Sequence, residues 1–191
     1  MAINWILLIS RQGKVRLAKW FTTMSPKAKT KIIKDVTQLV LARRTRMCNF
    51  LEYKGALARS SHYRFSATVL LIRFSRSSPF PPSPTDSKVV YRRYASLFFV
   101  TGISQGDNEL VTLEIIHRYV EILDRYFGNV CELDLIFNFQ KAYAILDELI
   151  IAGEMQESSK KSVLRTVSQS DSIEEAEQSE DSLARIGSRS G

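Results

Sequence analysis

The apolar residues of this chain fall into segments of two different periods, and their order excludes most mixed folds. Residues 3–9 (Ile-Asn-Trp-Ile-Leu-Leu-Ile) form a short apolar run of β type. Arg11-Gln12-Gly13-Lys14 is a turn with glycine inside it, and Val15 to Phe21 alternates loosely, so two strands make a hairpin. The alternation places Val15, Leu17 and Lys19 on one face and Arg16, Ala18 and Trp20 on the other. Ser25-Pro26 reads as an N-cap followed by proline at the first helical position. Ile32, Ile33, Val36, Leu39 and Val40 then recur at helical spacing to about Arg43, with Lys27, Lys31, Lys34 and Asp35 on the back. Residues 47–53, 88–93 and 95–103 read as three further strands.

After Gly106-Asp107-Asn108, where Asp107 or Asn108 can cap, the residues Leu110, Leu113, Ile116, Val120 and Leu123 predict a helix to about Phe127. Gly128-Asn129 ends it. Residues 131–151 predict another helix with Leu133, Ile136, Phe137, Ala144, Ile145 and Leu149 inward, closed by Gly153, and 158–168 a short basic one. The order strand, strand, helix, three strands, helix, helix lacks the alternation of a doubly wound sheet. An α+β fold is expected, with a five-stranded antiparallel sheet flanked by helices.

Composition narrows the function classes. Residues 1–55 hold 12 Lys/Arg against 2 acidic residues, whereas 170–191 hold 2 against 6. The basic half suits an anionic surface, an acidic polypeptide or plain solvation. Arg92-Arg93 with Lys27, Lys29, Lys31 and Lys34 is its core, a lipid-facing patch, a set of partners for acids on a larger subunit, or a solvated face. A nucleic-acid platform would need basic and aromatic residues together; Trp20, Phe98 and Phe99 read as sheet packing, so no nucleic acid is expected. Cys48 and Cys131 read as buried reduced thiols. No apolar run reaches the ~20 residues a bilayer needs, so membrane contact is expected to be peripheral. The histidines are His62 and His117. No Cys/His spacing fits zinc, and no phosphate-loop, nucleophile-elbow or dinucleotide glycine pattern occurs. Glu114, Glu121 and Asp124 read as solvated carboxylates. An enzyme is not expected, nor a cofactor.

Two segments stand apart. Residues 170–191 are acidic and serine-rich and read as a disordered tail. Residues 56–87 hold 4 of the 5 prolines and 8 serines, around the apolar run Thr68-Val69-Leu70-Leu71-Ile72. A structureless loop of this length inside a compact domain is unusual. The domain is therefore 1–169, interrupted at 56–87, with the tail at 170–191.

Three long stretches carry a resemblance. Ser10-Arg11-Gln12-Gly13-Lys14-Val15-Arg16-Leu17-Ala18-Lys19-Trp20, then Lys88-Val89-Val90-Tyr91-Arg92-Arg93-Tyr94-Ala95-Ser96-Leu97-Phe98-Phe99, then Gly128 through Phe139 (Gly-Asn-Val-Cys-Glu-Leu-Asp-Leu-Ile-Phe-Asn-Phe) are similar to the small (sigma) chains of clathrin adaptor complexes. With Asp107-Asn108-Glu109-Leu110 and Leu113 to Glu121, the resemblance covers about 1–55 and 88–165. Val40-Leu41-Ala42-Arg43 and Met47 to Tyr53 look like the trans-Golgi and endosomal (type one) kind.

The resemblance implies a longin, or SNARE-like, fold and a place beside two large adaptins and a medium (mu) chain. It implies clathrin contact through the complex, peripheral membrane association, and work at the cytoplasmic face of the trans-Golgi network, endosomes and clathrin-coated vesicles. It further implies binding of cargo tails that bear an acidic dileucine signal. Carried over by motif, Ala95, Leu97, Val120, Asn129, Val130 and Leu133 would line the leucine pockets, and Arg16 would face the signal's acid. From pattern alone Leu97, Val120, Val130 and Leu133 read as ordinary core. The alternative is another longin-domain trafficking protein, a SNARE regulator or tethering-complex subunit; a SNARE would add heptads and a membrane anchor, which the acidic tail lacks.

The chain departs from the resemblance at 56–87, where similar chains have a tight turn. Deleting 55–85 leaves Glu52-Tyr53-Lys54-Asp86-Ser87-Lys88-Val89, which restores a hairpin, so the segment reads as a retained intron or gene-model error. Amplifying the mature transcript should give a product without codons 56–85; abundant message that keeps them would contradict this reading.

Overall fold

The computed structural model describes residues 2–44, 47–54 and 86–187. The segment read as an insertion lies outside the described residues, apart from Asp86 and Ser87, which begin a strand. Five strands, β1 (Ile3–Ser10), β2 (Val15–Trp20), β3 (Phe50–Lys54), β4 (Asp86–Tyr94) and β5 (Leu97–Ile103), pair antiparallel in the order β2-β1-β5-β4-β3. This is the α+β sheet expected from the sequence. The β3–β4 ladder runs to Lys54↔Asp86, so the chain leaves and re-enters the sheet at one rung.

β1 sits inside the sheet and is buried on both faces. Trp5, Leu7 and Ile9 join Ile32, Val36 and Val40 of α1 (Pro26–Leu41) on one side. Ile6 and Leu8 join the core under the other helices. The Trp5 ring lies over Gly102, where a Cβ would fall 2.1 Å from it, so β5 needs glycine at this point. α1 starts as its sequence requires: the Ser25 hydroxyl accepts the Ala28 N–H at 3.3 Å, and Pro26 takes the first turn. Asp35 does not share the solvated back with the lysines. Its Oδ2 accepts the Tyr53 hydroxyl at 3.0 Å, because it lies on the shoulder of the helix that meets β3.

The second layer comprises α2 (Glu109–Phe127), α3 (Glu132–Phe137), α4 (Phe139–Leu149) and α5 (Lys160–Gly187), with a small hairpin of β6 (Ile150–Ile151) and β7 (Glu154–Met155). Asn108 caps α2 through Oδ1, which accepts from Leu110 and Val111, and Gly128 at φ 66° ends it. The inward face of α2 is Ile115, Ile116, Tyr119, Ile122 and Leu123, so Leu110, expected inside, is exposed. The expected single helix over 131–151 is two, broken at Asn138 (φ −117°, ψ 39°). The break changes the phase: Leu135, Ala142, Ile145, Leu146 and Leu149 are buried, whereas Leu133, Ile136, Phe137 and Ala144 face outward. Gly153 does not close that helix; it turns β6 into β7, and its carbonyl accepts the Ile3 N–H at 2.7 Å. Both cysteines are exposed and free rather than buried, Cys48 between α1 and β3 and Cys131 at the start of α3.

α5 continues past 168 into the acidic segment. Val163 and Val167 are buried against the core. One turn further, the Tyr126 hydroxyl donates to Asp171 at 2.7 Å, and the Lys141 ammonium lies 2.5 Å from Asp171 and 2.6 Å from Glu174. Burial pushes the Asp171 carboxyl up, but the bonds from Lys141 and Tyr126 outweigh it and the group titrates below its ordinary value. The Tyr126 phenol is pushed up to about 12 by burial and by Asp171. A carboxyl depressed in the folded state stabilises above its unfolded pKa, ~3.9, and that contribution is lost as pH falls through the folded value. Amide exchange should therefore show α5 beyond Val167 protected at neutral pH and released as the pH falls through that acid range, while the β1 amides stay protected. Asp171→Asn should release the same amides at neutral pH; unchanged protection in that variant would contradict the contact.

Candidate functional site

The residues singled out in the sequence lie on β2 (Arg16), at the β4–β5 turn and the start of β5 (Ala95, Leu97), on α2 (Val120), and at the α2–α3 connection and α3 (Asn129, Val130, Leu133). Arg16 is tied to α3, and Leu97, Val120 and Val130 pack on one core. β2 supplies Arg16, and a register irregularity decides where it points. Leu8 pairs with Leu17 but Ile9 pairs with Val15, so Arg16 is the extra residue of a β-bulge. Without the bulge Arg16 would share a face with Ala18 and Trp20, as the alternation predicts. With it, the guanidinium reaches α3 and donates from Nε at 2.9 Å and from Nη2 at 2.7 Å to Glu132 Oε1. Val15 is correspondingly moved to the α1 face, against Ile9 and its neighbours. Farther along β2, Lys19 pairs with Asp147 of α4 at 2.7 Å, and the Tyr143 hydroxyl donates to the Ala18 carbonyl.

Ala95 opens the two-residue turn between β4 and β5 at φ 49°, a left-handed conformation that costs an ordinary residue ~1–3 kcal/mol. Its side chain is exposed. Leu97 follows on β5 and is buried in the core, paired across β1 with Ser10. Val120 of α2 is half-buried against the same core. It lies one turn beyond His117, whose ring stacks on Tyr94 with Nδ1 3.0 Å from the Tyr94 hydroxyl. Burial raises the Tyr94 phenol, which keeps it protonated at that contact.

The α2–α3 connection brings three of the named residues together. Gly128 and Asn129 both have positive φ, 66° and 70°. The turn is pinned by Asp124: its carbonyl accepts from Gly128 and Asn129, and its Oδ1 accepts from Val130 at 3.1 Å. Asn129 is exposed, Val130 is half-buried against the core, and Leu133, on the outer face of α3, is 59% exposed. The Cys131 N–H donates to Asp134 Oδ2 at 2.8 Å, which fixes the first turn of α3. Leu97 is therefore core, Val120 and Val130 are shared between core and surface, and Leu133 is a surface apolar residue.

Glu132 was not singled out in the sequence, Asp124 was read there only as a solvated carboxylate, and Phe137 was read as inward. Glu132 is the counter-ion of Arg16 across 116 positions, and only a three-dimensional register could reveal it. Asp124 four residues before Gly128 was legible as a local support of the turn. Phe137, 76% exposed, extends the apolar surface of Leu133 and Ile136 along α3. Among the described residues there is no cluster of three His, Cys, Asp or Glu able to hold a metal, and no helix long and apolar enough to cross a membrane.

The sequence profile of the clathrin adaptor complex small chain matches residues 2–174. The chain belongs to the clathrin adaptor small-chain family. Its relatives agree: the AP-1 complex subunit sigma-1 of Schizosaccharomyces pombe is 53% identical over 186 residues, covering 97% of this chain and 96% of the relative. The AP-1 complex subunit sigma-1A of Homo sapiens is 46% identical over 177 residues, covering 93% and 92%. A chain of a homology model of the full-length AP-3 complex in a stretched open conformation superposes with a TM-score of 0.63 at 25% identity, over 94% of this chain and 98% of that one. For a clathrin adaptor small chain the five-stranded sheet between α1 and α2–α5 is thus the family scaffold, and the Arg16–Glu132 corner is a feature built upon it.

Proposed function

We propose that this chain is the small subunit of a heterotetrameric clathrin adaptor complex of the AP-1 kind, a non-enzymatic part of vesicle transport. On this reading it assembles with two large adaptins and a medium chain. It reaches clathrin and the membrane through that complex, at the cytoplasmic face of the trans-Golgi network and endosomes. The match of residues 2–174 to the small-chain family, with AP-1 sigma relatives at 46–53% identity, is the observation that carries the assignment.

Within the complex the β2–α3 corner would read acidic dileucine signals. Two leucine side chains leaving water for apolar slots beside Leu97, Val120, Val130 and Leu133 could gain ~1.5–3 kcal/mol each. Ordering the peptide and the loss of free motion offset much of this, so the complex would be weak and reversible. Exposed Asn129, in its left-handed turn, offers an amide to peptide backbone. Arg16 faces the signal's acid, and it would have to leave Glu132 or share with it. The pair is partly exposed, 21% and 19% by side chain, so the exchange of one carboxylate for another is worth little, about 0–1 kcal/mol. That makes the acid a source of selectivity more than of affinity.

Two substitutions test the reading by titrating the assembled complex with a dileucine peptide. Val130→Asp should abolish binding while assembly persists; unchanged affinity would overturn the pocket. Glu132→Gln should tighten an acid-bearing peptide about two- to fivefold, the scale of ~1 kcal/mol or less, and leave a peptide with glutamine in place of the acid unchanged. Equal effects on both peptides would remove Arg16 from the recognition of the acid.

A further inference from the structure

On the opposite face of the sheet, away from the corner just described, a cavity of about 90 Å³ opens between the end of α1 and strands β4 and β5. Its lining includes three arginines, Arg43, Arg44 and Arg93, together with Asn49, Tyr91 and the apolar Val40 and Phe98. Among the described residues no carboxylate lines it. Among the described residues the ion pairs involve Arg16, Lys19, Lys88, His117, Arg118, Lys141 and Lys160, and none of these three arginines.

Two of the three are held in place by neutral groups. Arg43 donates from Nη1 to the Cys48 carbonyl at 3.2 Å and to the Phe50 carbonyl at 3.0 Å. Arg93 donates from Nε to the Ala95 carbonyl at 3.0 Å, and its guanidinium lies over the Phe98 ring, 5.7 Å from the centroid. These contacts orient the forks without neutralising them. The carbonyl end of α1 contributes about half a negative charge, against three full positive ones. Three like charges around one concavity repel unless an anion joins them, and guanidinium forks match the geometry of phosphate oxygens.

We propose that this cavity binds a phosphate monoester, one phosphate group seated between Arg43, Arg44 and Arg93. The same chemistry is offered by a phosphorylated lipid headgroup and by a soluble phosphate ester. The cavity's side chains differ from those of the β2–α3 corner, but Arg93 also holds the Ala95 carbonyl. The Arg44→Gln single variant leaves that bond intact, so with it peptide binding there and phosphate binding here are read separately.

The test uses the full chain purified with its co-assembled subunits and carrying a photo-crosslinking residue at Met47, on the cavity wall. Three probes are compared: phosphatidylcholine vesicles with phosphorylated phosphatidylinositol, vesicles of equal charge with phosphatidylserine, and free inositol trisphosphate. The proposal expects crosslinking to this chain at least fivefold stronger with the phosphorylated lipid than with phosphatidylserine, or with the free ester if that is the source. It also expects a drop of at least fivefold in the Arg44→Gln/Arg93→Gln variant. Arg43 is left intact because it holds two backbone carbonyls. If the double variant does not assemble, Arg44→Gln alone, on an exposed side chain, should still weaken labelling severalfold. Equal labelling with phosphatidylserine, labelling unchanged in the variants, or competition by polyglutamate as effective as by inositol trisphosphate would each overturn it.

Discussion

The structure depends on a strand that has no solvent face. β1 is apolar on both sides because it is packed on both: Trp5, Leu7 and Ile9 against α1, Ile6 and Leu8 against α2 and α4. Removing either layer would expose a row of large side chains, each worth ~1.5–3 kcal/mol of burial. The two layers are therefore coupled through one strand, and the sheet order β2-β1-β5-β4-β3 places it where hydrogen bonds on both edges are also used. Everything of functional interest is built on the margins of this arrangement. The β2–α3 corner lies on one face and the arginine-lined cavity on the other.

The bulge in β2 links the sheet to α3. One additional residue moves Val15 into the α1 layer and turns Arg16 toward α3. The guanidinium is then paired with Glu132 of α3, the residue before the outward Leu133. Glu132 keeps Arg16 oriented and compensated; on the proposed reading, the acid of a leucine-bearing segment would compete for the same guanidinium.

Much of this was legible in the sequence, for reasons that differ by element. The strands were readable because β1 is a continuous apolar run and β4–β5 are rich in β-branched and aromatic residues. The ends of α1 and α2 were readable because Ser25-Pro26, Asn108 and Gly128 act within one turn of themselves. The packing phase was less so. Leu110 satisfied the helical period yet lies in the exposed first turn of α2, beyond the reach of the core. The break at Asn138 was invisible, since nothing in Phe137-Asn138-Phe139 forbids a continuous helix, and it turned Leu133, Ile136 and Phe137 outward. The bulge had no local signature either, because a register is a property of two strands. Among the site residues, Leu97 followed the bland core expectation, whereas Leu133 is outside it. The start of the acidic segment, read as a disordered tail, continues α5 and makes side-chain contacts. Its Asp171 and Glu174 find Lys141 and Tyr126, contacts that no count of charges contains.

The most direct test of the account is an electron cryo-microscopy map of the assembled adaptor complex with an acidic dileucine peptide bound. The account predicts peptide density with its two leucines against Val120, Val130 and Leu133 and its acidic side chain within reach of Arg16. Peptide density on another subunit or another face of this chain, with Leu133 and Val130 still uncovered, would contradict it.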